Sequence, residues 1–500
     1  MEPAAEENHS HFLTNALLCT VASLIVYLLY LSWSRPNKFP PGPYGWPLVG
    51  SLPSLSRDKP YKVLTKLSKQ YDDVFSIKIG QRLAVVLNGQ NALREALVRK
   101  ADYFSGRPTF TPGAIVSEGK GIINAQHDEN GRHLRRFTLK TLKHFGMGKS
   151  VLEGSILKEV RHMTDAINIH SGMPIDLSIH LSNATYNIIC SMVFGKRYRY
   201  NDQRFQRLLT MVADFFKLSG IAAMTKYLPI LRLIPWNNIL EKIHWRTNEI
   251  KQWIQPDIDE HIEHFDLSSE PKDFVDVYLA EMTRDELKEQ PTSMNSTNLV
   301  RTIIDLFLAG TETTATTLRW AILYLVLHPD IQKKVRDEII DEVGQDRDVS
   351  MADKHKLPYT EAVILEVNRI SCIAPLAVFH TTTDDVTVGG YLIPKHTMVI
   401  PNLWSAHMDP EVWVEPDAFM PERFLHNGKV VNSDKIVSFS LGRRACVGRQ
   451  LAEMELFLIL TTLLQHHEFS IPEGMEPPTT ERIVGITVFP KPYEVCVVKH

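Results

Sequence analysis

The stretch FSLGRRACVGRQLAEMELFLILTTLL, residues 439–464, decides the fold. Its one cysteine, Cys446, stands between Gly442 and Gly448, behind two arginines and directly before an apolar pattern of helical spacing. Backbone N–H groups and a helix N-terminus stabilise a thiolate, and glycines let the backbone approach a flat ligand closely. The stretch therefore predicts a thiolate metal ligand rather than a buried structural cysteine.

The composition indicates an ordinary globular protein with a large core: 500 residues, 44% hydrophobic and 23% charged, with a net charge of -3. No low-complexity linker or repeat follows residue 50, which predicts one large domain or two subdomains around a shared site. The net charge gives no reason to expect a nucleic-acid partner. The five cysteines are widely spaced without a C-x-x-C pair, which argues against a disulfide framework or zinc site and favours a reducing compartment.

The N-terminal region contains an uncharged apolar stretch, FLTNALLCTVASLIVYLLYLSW, at residues 12–33. It is long enough to cross a bilayer as a helix, which takes about 20 residues. Three glutamates precede it, whereas Arg35 and Lys38 follow it, so the positive-inside rule places the rest of the chain in the cytosol. We therefore predict that residues 1–34 are a single membrane anchor.

The next segment, KFPPGPYGWPLVG at residues 38–50, is rich in proline, which cannot continue a helix and stiffens a spacer. We expect residues 35–50 to form a hinge that holds the body against the membrane. Residues 51–500 are then the catalytic domain.

The body reads as mainly α with small β-sheets. Residues 74–89 alternate and predict two strands with a turn at Gly80, and residues 386–401 read as strands again. Between about 91 and 370 apolar residues recur at three- and four-residue spacing. The longest such pattern runs from residue 298 to Pro329 and predicts one helix that crosses the whole body.

The cysteine region matches the string F-x-x-G-x-R-x-C-x-G in full, through Phe439, Gly442, Arg444, Cys446 and Gly448. On this string the chain resembles a microsomal cytochrome P-450, a haem-thiolate monooxygenase, and the similarity runs from the anchor to the last strand. It is most similar to family 2, through the segments FSGRP, LRRFTLKTLKHFGMGK, SNATYNIICSMVFGKR, DFVDVYLAEM, AGTETTATTLRW, PYTEAVILEV and GYLIPK. The resemblance implies the P-450 fold, preceded by one N-terminal transmembrane helix.

The resemblance also implies haem b as the cofactor, with Cys446 as the proximal iron ligand. The family's propionate partners match four residues of this chain: Arg107, Arg135, His380 and Arg444. The sequence departs from the family's W-x-x-x-R pattern, because Gly131 stands at the tryptophan position. We expect one propionate hydrogen bond to be missing, the helix start to be looser, and haem retention to be weaker.

The AGTETT segment at residues 309–314 carries the expected oxygen chemistry. Ala309 and Gly310 remove side-chain bulk beside the iron, and the hydroxyl of Thr313 can bond a carbonyl one turn back and loosen the helix. Reductive cleavage of O₂ needs two protons, so Glu312 and Thr313 are the predicted catalytic acid and alcohol.

A structural ion-pair network is expected from EVNR and PERF. Glu366 and Arg369 are spaced for one helix face, and the family pattern joins them to Arg423 in a buried network that holds the cysteine loop.

Electrons must come from a partner, because the chain has no G-x-G-x-x-G or other nucleotide motif. The resemblance implies NADPH-cytochrome P-450 reductase, with cytochrome b5 as a further donor, and residence in the endoplasmic reticulum membrane. An acidic reductase would be steered to basic residues near the proximal face: Arg132, Arg135, Arg136, Lys140, Lys143 and Arg443.

The predicted substrate pocket is mostly apolar, which suits a fatty acid, a steroid or a xenobiotic, and the resemblance leans toward fatty-acid-hydroxylating members. The candidate lining comprises the 205–240 region and Ile115, Leu306, Ala309, Ile373, Leu376, Val378 and Ile486. Within that region, residues 216–240 fit either plain core or a lip that dips into the bilayer.

Two other functions stay open on the sequence. A reductase-independent haem-thiolate isomerase or dehydratase would tend to lose the acid–alcohol pair, which this chain keeps. A non-enzymatic haem-binding membrane protein would fit a weakened cofactor hold at Gly131, and it predicts little stoichiometric haem.

Overall fold

The computed structural model describes residues 3–47, 49–55, 59–145, 150–227, 238–287 and 292–500. The described helices follow one another along the chain: α1 (Pro3–Trp33), α2 (Pro60–Tyr71), α3 (Gly89–Arg94), α4 (Pro112–Ser117), α5 (Glu129–His144), α6 (Ser150–Asn168), α7 (Ser178–Phe194), α8 (Gln203–Tyr227), α9 (Ile239–Glu263), α10 (Phe274–Leu287), α11 (Ser296–Gly310), α12 (Glu312–Leu327), α13 (Pro329–Glu342), α14 (Pro358–Ser371), α15 (Leu403–His407) and α16 (Arg449–His466).

The described strands are short: β1 (Val74–Ile79), β2 (Arg82–Leu87), β3 (Pro174–Ile175), β4 (His380–Thr381), β5 (Val386–Val388), β6 (Tyr391–Ile393), β7 (Met398–Pro401), β8 (Leu425–His426), β9 (Lys429–Val430), β10 (His467–Ser470), β11 (Arg482–Val484), β12 (Val488–Pro490) and β13 (Val495–Lys499). The prediction of a mainly α protein with small β-sheets is confirmed.

The largest described sheet has the strand order β1-β2-β7-β4. The turn predicted at Gly80 is present: this glycine has a φ of 61° and joins β1 to β2 in an antiparallel pair. Strand β7 then lies parallel to β2, with Val85 beside Val399, and β4 runs antiparallel to β7. This order places His380, on β4, in the same sheet as the N-terminal strands β1 and β2.

The core is centred on α12, whose apolar side chains are almost all buried. It packs against α7, α14 and α16, so the helix that follows Cys446 lies directly against the helix that follows Gly310. Trp320 is fully buried on α12, and its indole N–H donates to the Val488 carbonyl at 3.0 Å. The helices around the site therefore form one rigid packing unit.

The long helix predicted from residue 298 to Pro329 is divided in the structure. Helix α11 ends at Gly310, Thr311 lies between the two, and α12 begins at Glu312. Two hydroxyls bond carbonyls one turn back, Thr311 Oγ1 to Phe307 O and Thr313 Oγ1 to Ala309 O, both at 2.6 Å. Such bonds compete with the helical ladder and bend it, which explains the break.

The predicted spanning segment at residues 12–33 lies within α1, and its described apolar side chains, such as Phe12 and Leu17, are exposed. Within the part of the chain that the structure describes, no helix combines the length and apolar character needed to cross a membrane. The apolar segment 216–240 continues α8 as far as Tyr227, and residues 228–237 lie outside the described residues.

Candidate functional site

The loop that carries Cys446 is fixed by two close backbone approaches. Gly442 has a φ of 73°, and a Cβ at this position would lie 1.6 Å from the Leu97 carbonyl oxygen, so only glycine fits. The Cys446 N–H donates to the Phe439 carbonyl at 2.9 Å, which closes the loop just before α16 begins at Arg449. Phe439, Gly442 and Cys446 are therefore held in one tight turn.

The Cys446 side chain is exposed, yet the protein around it is dense enough that burial raises the pKa of the thiol. The Gly448 N–H, Arg135 and Arg449 act in the opposite direction and favour the thiolate. This arrangement suits a sulfur that exchanges its proton for a metal ion, because coordination deprotonates a thiol outright.

Three guanidinium groups and one imidazole converge beside this loop. Arg107, Arg444 and His380 are at most 6% exposed, and Arg135 is half-buried. Burial, then Arg444 and Arg135, hold the pKa of Arg107 well below its usual value. Burial, then Arg107, likewise holds the pKa of His380 far below its usual range, so this imidazole is neutral. The three arginines are like charges with the neutral imidazole beside them, and we call these four residues the arginine cluster.

Backbone carbonyls position each member of the arginine cluster. Arg107 Nη1 donates to Val378 O at 3.0 Å and to Phe379 O at 2.9 Å. Arg444 Nε donates to the Ser105 carbonyl at 2.8 Å, and Arg135 Nη2 donates to the Ala445 carbonyl, next to the cysteine. Arg135 thus joins the cluster to the cysteine loop.

The arginine cluster fits an anionic group. None of its three arginines forms an ion pair with a carboxylate anywhere in the described part of the chain, although Asp128 influences Arg444 from a distance. Burying like charges without counter-ions is costly, so such a cluster is stable when a ligand supplies the negative charge. The two propionates of a haem would supply it, and Cys446 would take the iron. The residues present therefore fit a haem.

The break between α11 and α12 lies among residues predicted for oxygen chemistry. Ala309 is exposed although the preceding turn of α11 is buried, so the helix presents a notch to an open space. Burial raises the pKa of Glu312, and Arg319 partly offsets this effect. Thr316 Oγ1 is the one described hydrogen-bond donor to Glu312, at 3.4 Å. A raised pKa favours the protonated form of this carboxyl, which is the form that can donate a proton beside the broken helix.

The structure brings Glu366, Arg369 and Arg423 together. Glu366 and Arg369 are fully buried and form a two-pronged pair, with both nitrogen–oxygen distances at 2.7 Å. Arg423 Nε reaches the same carboxylate at 3.2 Å, and the Met420 N–H donates to it at 2.9 Å. Every charge in this ion-pair network has an opposite charge and additional hydrogen bonds.

A histidine that sequence reasoning missed links the ion-pair network to the cysteine loop. Arg369 Nη1 donates to the His407 carbonyl at 2.8 Å, and His407 Nε2 accepts the Val437 N–H at 2.9 Å. Burial, then Arg369, lowers the pKa of His407 to about 3, so the ring remains a neutral acceptor. The only sequence signal was a polar residue at the end of a short apolar helix, WSAH, which is too common to single out.

Sequence reasoning also missed Glu455, which lies on α16 nine residues after Cys446. Its side chain is 0% exposed, and neither carboxylate oxygen has a hydrogen-bond partner within the described residues. Burial raises its pKa to about 8, and the hydroxyl of Thr314 on α12 lowers it slightly without reaching hydrogen-bond geometry. The sequence AEMELFLIL did contain a signal for a buried acid, because Glu455 directly precedes the apolar run LFLIL of the predicted helix.

Gly131 lies in the first turn of α5. The Asp128 side chain caps this helix by accepting the Gly131 N–H at 2.8 Å. A Cβ on Gly131 would lie 2.0 Å from the Gln126 carbonyl oxygen, so the backbone here requires glycine. The residue borders a cavity of about 470 Å³ whose wall also includes Ile115 and Leu134. The helix start is therefore capped, although no tryptophan is present.

The predicted pocket residues divide by exposure. Ile115, Val378 and Ile486 are 44 to 47% exposed, and Ala309 also faces open space, whereas Leu306 is buried. The loop that carries Ile373, Leu376 and Val378 contacts two other parts of the site. Val378 O accepts Arg107, and Ile373 O accepts the Val488 N–H of β12, next to the turn that holds Ile486.

The basic residues proposed for reductase binding are exposed on and near α5, with one exception. The exposed ones are Arg132, Arg136, Lys140, Lys143 and Arg443. Arg135 instead points inward to Ala445, so it belongs to the arginine cluster rather than to the surface. Arg443 pairs with Asp102 at 3.0 Å in an exposed ion pair.

Comparisons with known proteins show the family of the chain. The family model for cytochrome P450 matches residues 40–497. Cytochrome P450 2U1 of Mus musculus is 37% identical, with 97% of this chain and 95% of the relative covered. Cytochrome P450 2J2 of Homo sapiens is 36% identical over 96% of this chain and 95% of the relative. Cytochrome P450 2D10 of Mus musculus is 37% identical over 97% of this chain and 96% of the relative.

Proposed function

The chain belongs to the cytochrome P450 family of haem-thiolate monooxygenases and is similar to its family 2. From this premise we propose that it holds haem b and inserts one oxygen atom of O₂ into a lipophilic substrate. The proposal assigns Cys446 as the iron ligand and the arginine cluster, Arg107, Arg135, Arg444 and His380, as the propionate site.

The observation that carries this proposal is the combination of an exposed thiol and buried cations without counter-ions at one loop. Cys446 is exposed on the loop before α16, and Ala309 is exposed at the break between α11 and α12. The haem supplies the iron at which O₂ is bound and reduced when the group is in place. A plain structural cysteine would explain neither the cations nor the notch.

In the proposed reaction the protein's own contribution is proton delivery. Burial raises the pKa of Glu312, which favours its protonated form, and the Thr313 hydroxyl donates to the Ala309 carbonyl at the helix break. Glu312 is therefore the proposed acid and Thr313 the proposed alcohol of the relay. Each coupled turnover consumes O₂, two electrons, two protons and R–H, and forms R–OH and water.

The electrons come, in this proposal, from NADPH through a flavoprotein reductase, with cytochrome b5 as a further donor. The exposed basic residues of α5 support docking of an acidic partner beside the cysteine loop. We further propose a single-pass anchor at residues 1–34 and a hinge at 35–50. The catalytic domain, residues 51–500, then faces the cytosol from the endoplasmic reticulum.

The proposed substrates are fatty acids, steroids or xenobiotics. The exposed apolar side chains Ile115, Val378 and Ile486 support an oily ligand, and Ile373 and Leu376 are half-buried between them. An apolar pocket discriminates only weakly between substrates that differ slightly in apolar size. A series of fatty acids of different chain length and of compounds with different ring systems should therefore be screened.

The reduced, carbon-monoxide-bound difference spectrum tests the assignment, with Cys446→Ala as the variant and Cys190→Ala as the matched control. We expect the strongly red-shifted Soret band of a thiolate ligand, lost only in Cys446→Ala. A band typical of histidine ligation, or purification without stoichiometric haem, would overturn the proposal. Turnover that never needs NADPH or reductase would instead indicate an isomerase or dehydratase.

A further inference from the structure

Arg482 is the first residue of β11, in the hairpin whose turn carries Ile486. Strand β11 runs antiparallel to β12, with Arg482 beside Pro490. The Arg482 side chain is half-buried, and no carboxylate among the described residues forms an ion pair with it. The acid before it, Glu481, pairs with Lys491 instead. The contacts of this guanidinium are therefore with backbone carbonyls and aromatic rings.

The carbonyls lie at the C-terminal end of α14. Arg482 Nη1 donates to the Ser371 carbonyl, and Nη2 donates to the Ile370 carbonyl. Helix α14 ends here, where Cys372 takes a left-handed φ of 37°. The last carbonyls of a helix lack partners within the helix and lie at the negative end of its dipole. The planar fork of an arginine can bind two such carbonyls at once, whereas the single ammonium of a lysine lacks this geometry.

Two tryptophan rings fix the direction of the Arg482 side chain. The guanidinium carbon lies 5.1 Å from the ring centre of Trp320, on α12, and 4.5 Å from that of Trp404, on α15. Such cation–π contacts favour one placement of a planar cation. Tyr324 is a further aromatic neighbour, because burial raises the pKa of its phenol and Arg482 opposes this shift. The indole N–H of Trp320 also donates to the Val488 carbonyl at 3.0 Å, so this ring contacts both strands of the hairpin.

The loop at residues 372–378 follows α14 directly and carries three of the predicted pocket residues. The Val488 N–H donates to the Ile373 carbonyl at 2.8 Å, which joins this loop to β12. The Trp404 N–H donates to the Pro375 carbonyl at 3.2 Å, which joins the loop to α15. The loop is therefore bonded directly to the hairpin and shares Trp404 with it.

We propose that Arg482 is a positioning residue for the substrate pocket: it fixes the hairpin against the end of α14 and thereby sets the distance between Ile373 and Ile486. Ile373 is half-buried on the loop, and Ile486 is 47% exposed at the turn of the hairpin. Apolar contacts are non-directional, so a fixed spacing of these two side chains depends on directional contacts such as those of Arg482. Changing that spacing changes which shapes of lipophilic ligand fit. The inference rests on the proposed function, because it treats the two isoleucines as substrate contacts.

Three variants separate the contacts of Arg482 from its charge. Arg482→Met removes the donors and the charge but keeps a long unbranched side chain. Its matched control is Lys491→Met, because Lys491 directly follows β12 and forms only an exposed ion pair with Glu481. Arg482→Lys keeps the charge, and we expect an intermediate result because an ammonium does not reproduce the two-pronged contact.

The first readout is amide hydrogen exchange of the Val488 N–H in the full-length protein, which needs neither substrate nor turnover. Loss of the two bonds from Arg482 should loosen the hairpin and speed this exchange about tenfold in Arg482→Met. Lys491→Met should exchange at the native rate. An unchanged rate in Arg482→Met overturns the proposal, because the hairpin would then hold its place without Arg482.

The second readout compares two ligands of the ferric holoenzyme, imidazole and 1-dodecylimidazole, by optical titration. Both bind the iron through nitrogen, whereas only the second places a long apolar chain in the pocket. In Arg482→Met the Kd of 1-dodecylimidazole should rise about tenfold, while that of imidazole should stay at the native value. A rise in both constants, or in neither, overturns the role of Arg482 in specificity.

The two readouts distinguish this inference from the proposed function. A native chain that binds no haem refutes the proposed function, and the exchange of the Val488 amide then still decides whether Arg482 holds the hairpin. A haem-binding chain in which Arg482→Met leaves both readouts unchanged refutes the inference alone.

Discussion

Two clusters of buried charge contact the cysteine loop and its flanking residues, and they differ in completeness. In the ion-pair network, Glu366 meets Arg369 and Arg423, and backbone groups satisfy what remains. In the arginine cluster, Arg444 and Arg135 lower the pKa of Arg107, so these like charges disfavour one another. A complete cluster stabilises the fold by itself, whereas an incomplete one needs a ligand to be stable.

This difference distinguishes buried charges that stabilise the fold from buried charges that could bind a ligand, and it does so without comparison with related proteins. Burial alone does not do so, because both clusters are buried. What differs is whether the protein supplies the opposite charge. Perturbed ionisable groups that lack an internal partner are the better candidates for a binding site.

The largest expected effect is on the complete cluster. Glu366→Gln should lower the free energy of unfolding by about 3–5 kcal/mol, because Arg369 would remain buried without a counter-charge. Chemical denaturation followed by tryptophan fluorescence measures the loss. Glu422→Gln is the control, since its exposed pair with Lys334 is worth about 0–1 kcal/mol. A loss of the same size in both variants would remove the distinction between the clusters.

Glu455 is a third case, a buried carboxyl that lacks a hydrogen-bond partner among the described residues and has no expected ligand. Its folded pKa of about 8 lies above the ordinary value of 4.5, so the folded state holds a proton that the unfolded state releases. Stability is therefore full below pH 4.5 and falls as the pH rises toward 8, by roughly 1.4 kcal/mol per pH unit.

The substitution Glu455→Gln should remove this contribution, so its advantage over the native chain grows between pH 5 and pH 8. Urea denaturation across about four pH values measures the slope. An equal slope in both proteins would mean that Glu455 is ionised in the folded state and has a counter-charge after all.

The smallest expected effect on stability is in the arginine cluster. A substitution there should affect haem retention more than the stability of the haem-free protein. Arg135→Leu should leave the haem-free protein nearly as stable as the native chain, because it removes one of several like charges. It should speed haem loss about tenfold, which corresponds to about 1.4 kcal/mol for a charge-assisted contact. Haem transfer to an acceptor apoprotein measures the rate.

Arg136→Leu is the control for that experiment, because Arg136 is exposed on the same helix and outside the cluster. Haem loss should stay at the native rate. If Arg135→Leu destabilises the haem-free protein as strongly as Glu366→Gln does, the arginine cluster is structural, and its interpretation as a propionate site is wrong.

The sequence by itself determined the features that depend on neighbours along the chain. The pattern of the cysteine loop spans only ten residues, and its glycine, arginine and cysteine spacing is visible in the sequence, although the Leu97 carbonyl that requires Gly442 is not. The hairpin at Gly80 and the strands of 386–401 follow from alternation and turn chemistry in the same way. The threonines of AGTETT likewise signalled a loosened helix before its break was visible.

Only the tertiary structure decided which of these elements meet. His407 joins Arg369 to Val437, α16 packs Glu455 toward α12, and α7 packs against both α11 and α12, and no local pattern marks these contacts. Arg135 turned inward while Arg136 stayed exposed, although the two are adjacent in the sequence. Whether a buried charge is paired depends on residues that packing brings together, as it brings Arg423 to Glu366, so charge balance is not a property of sequence order alone.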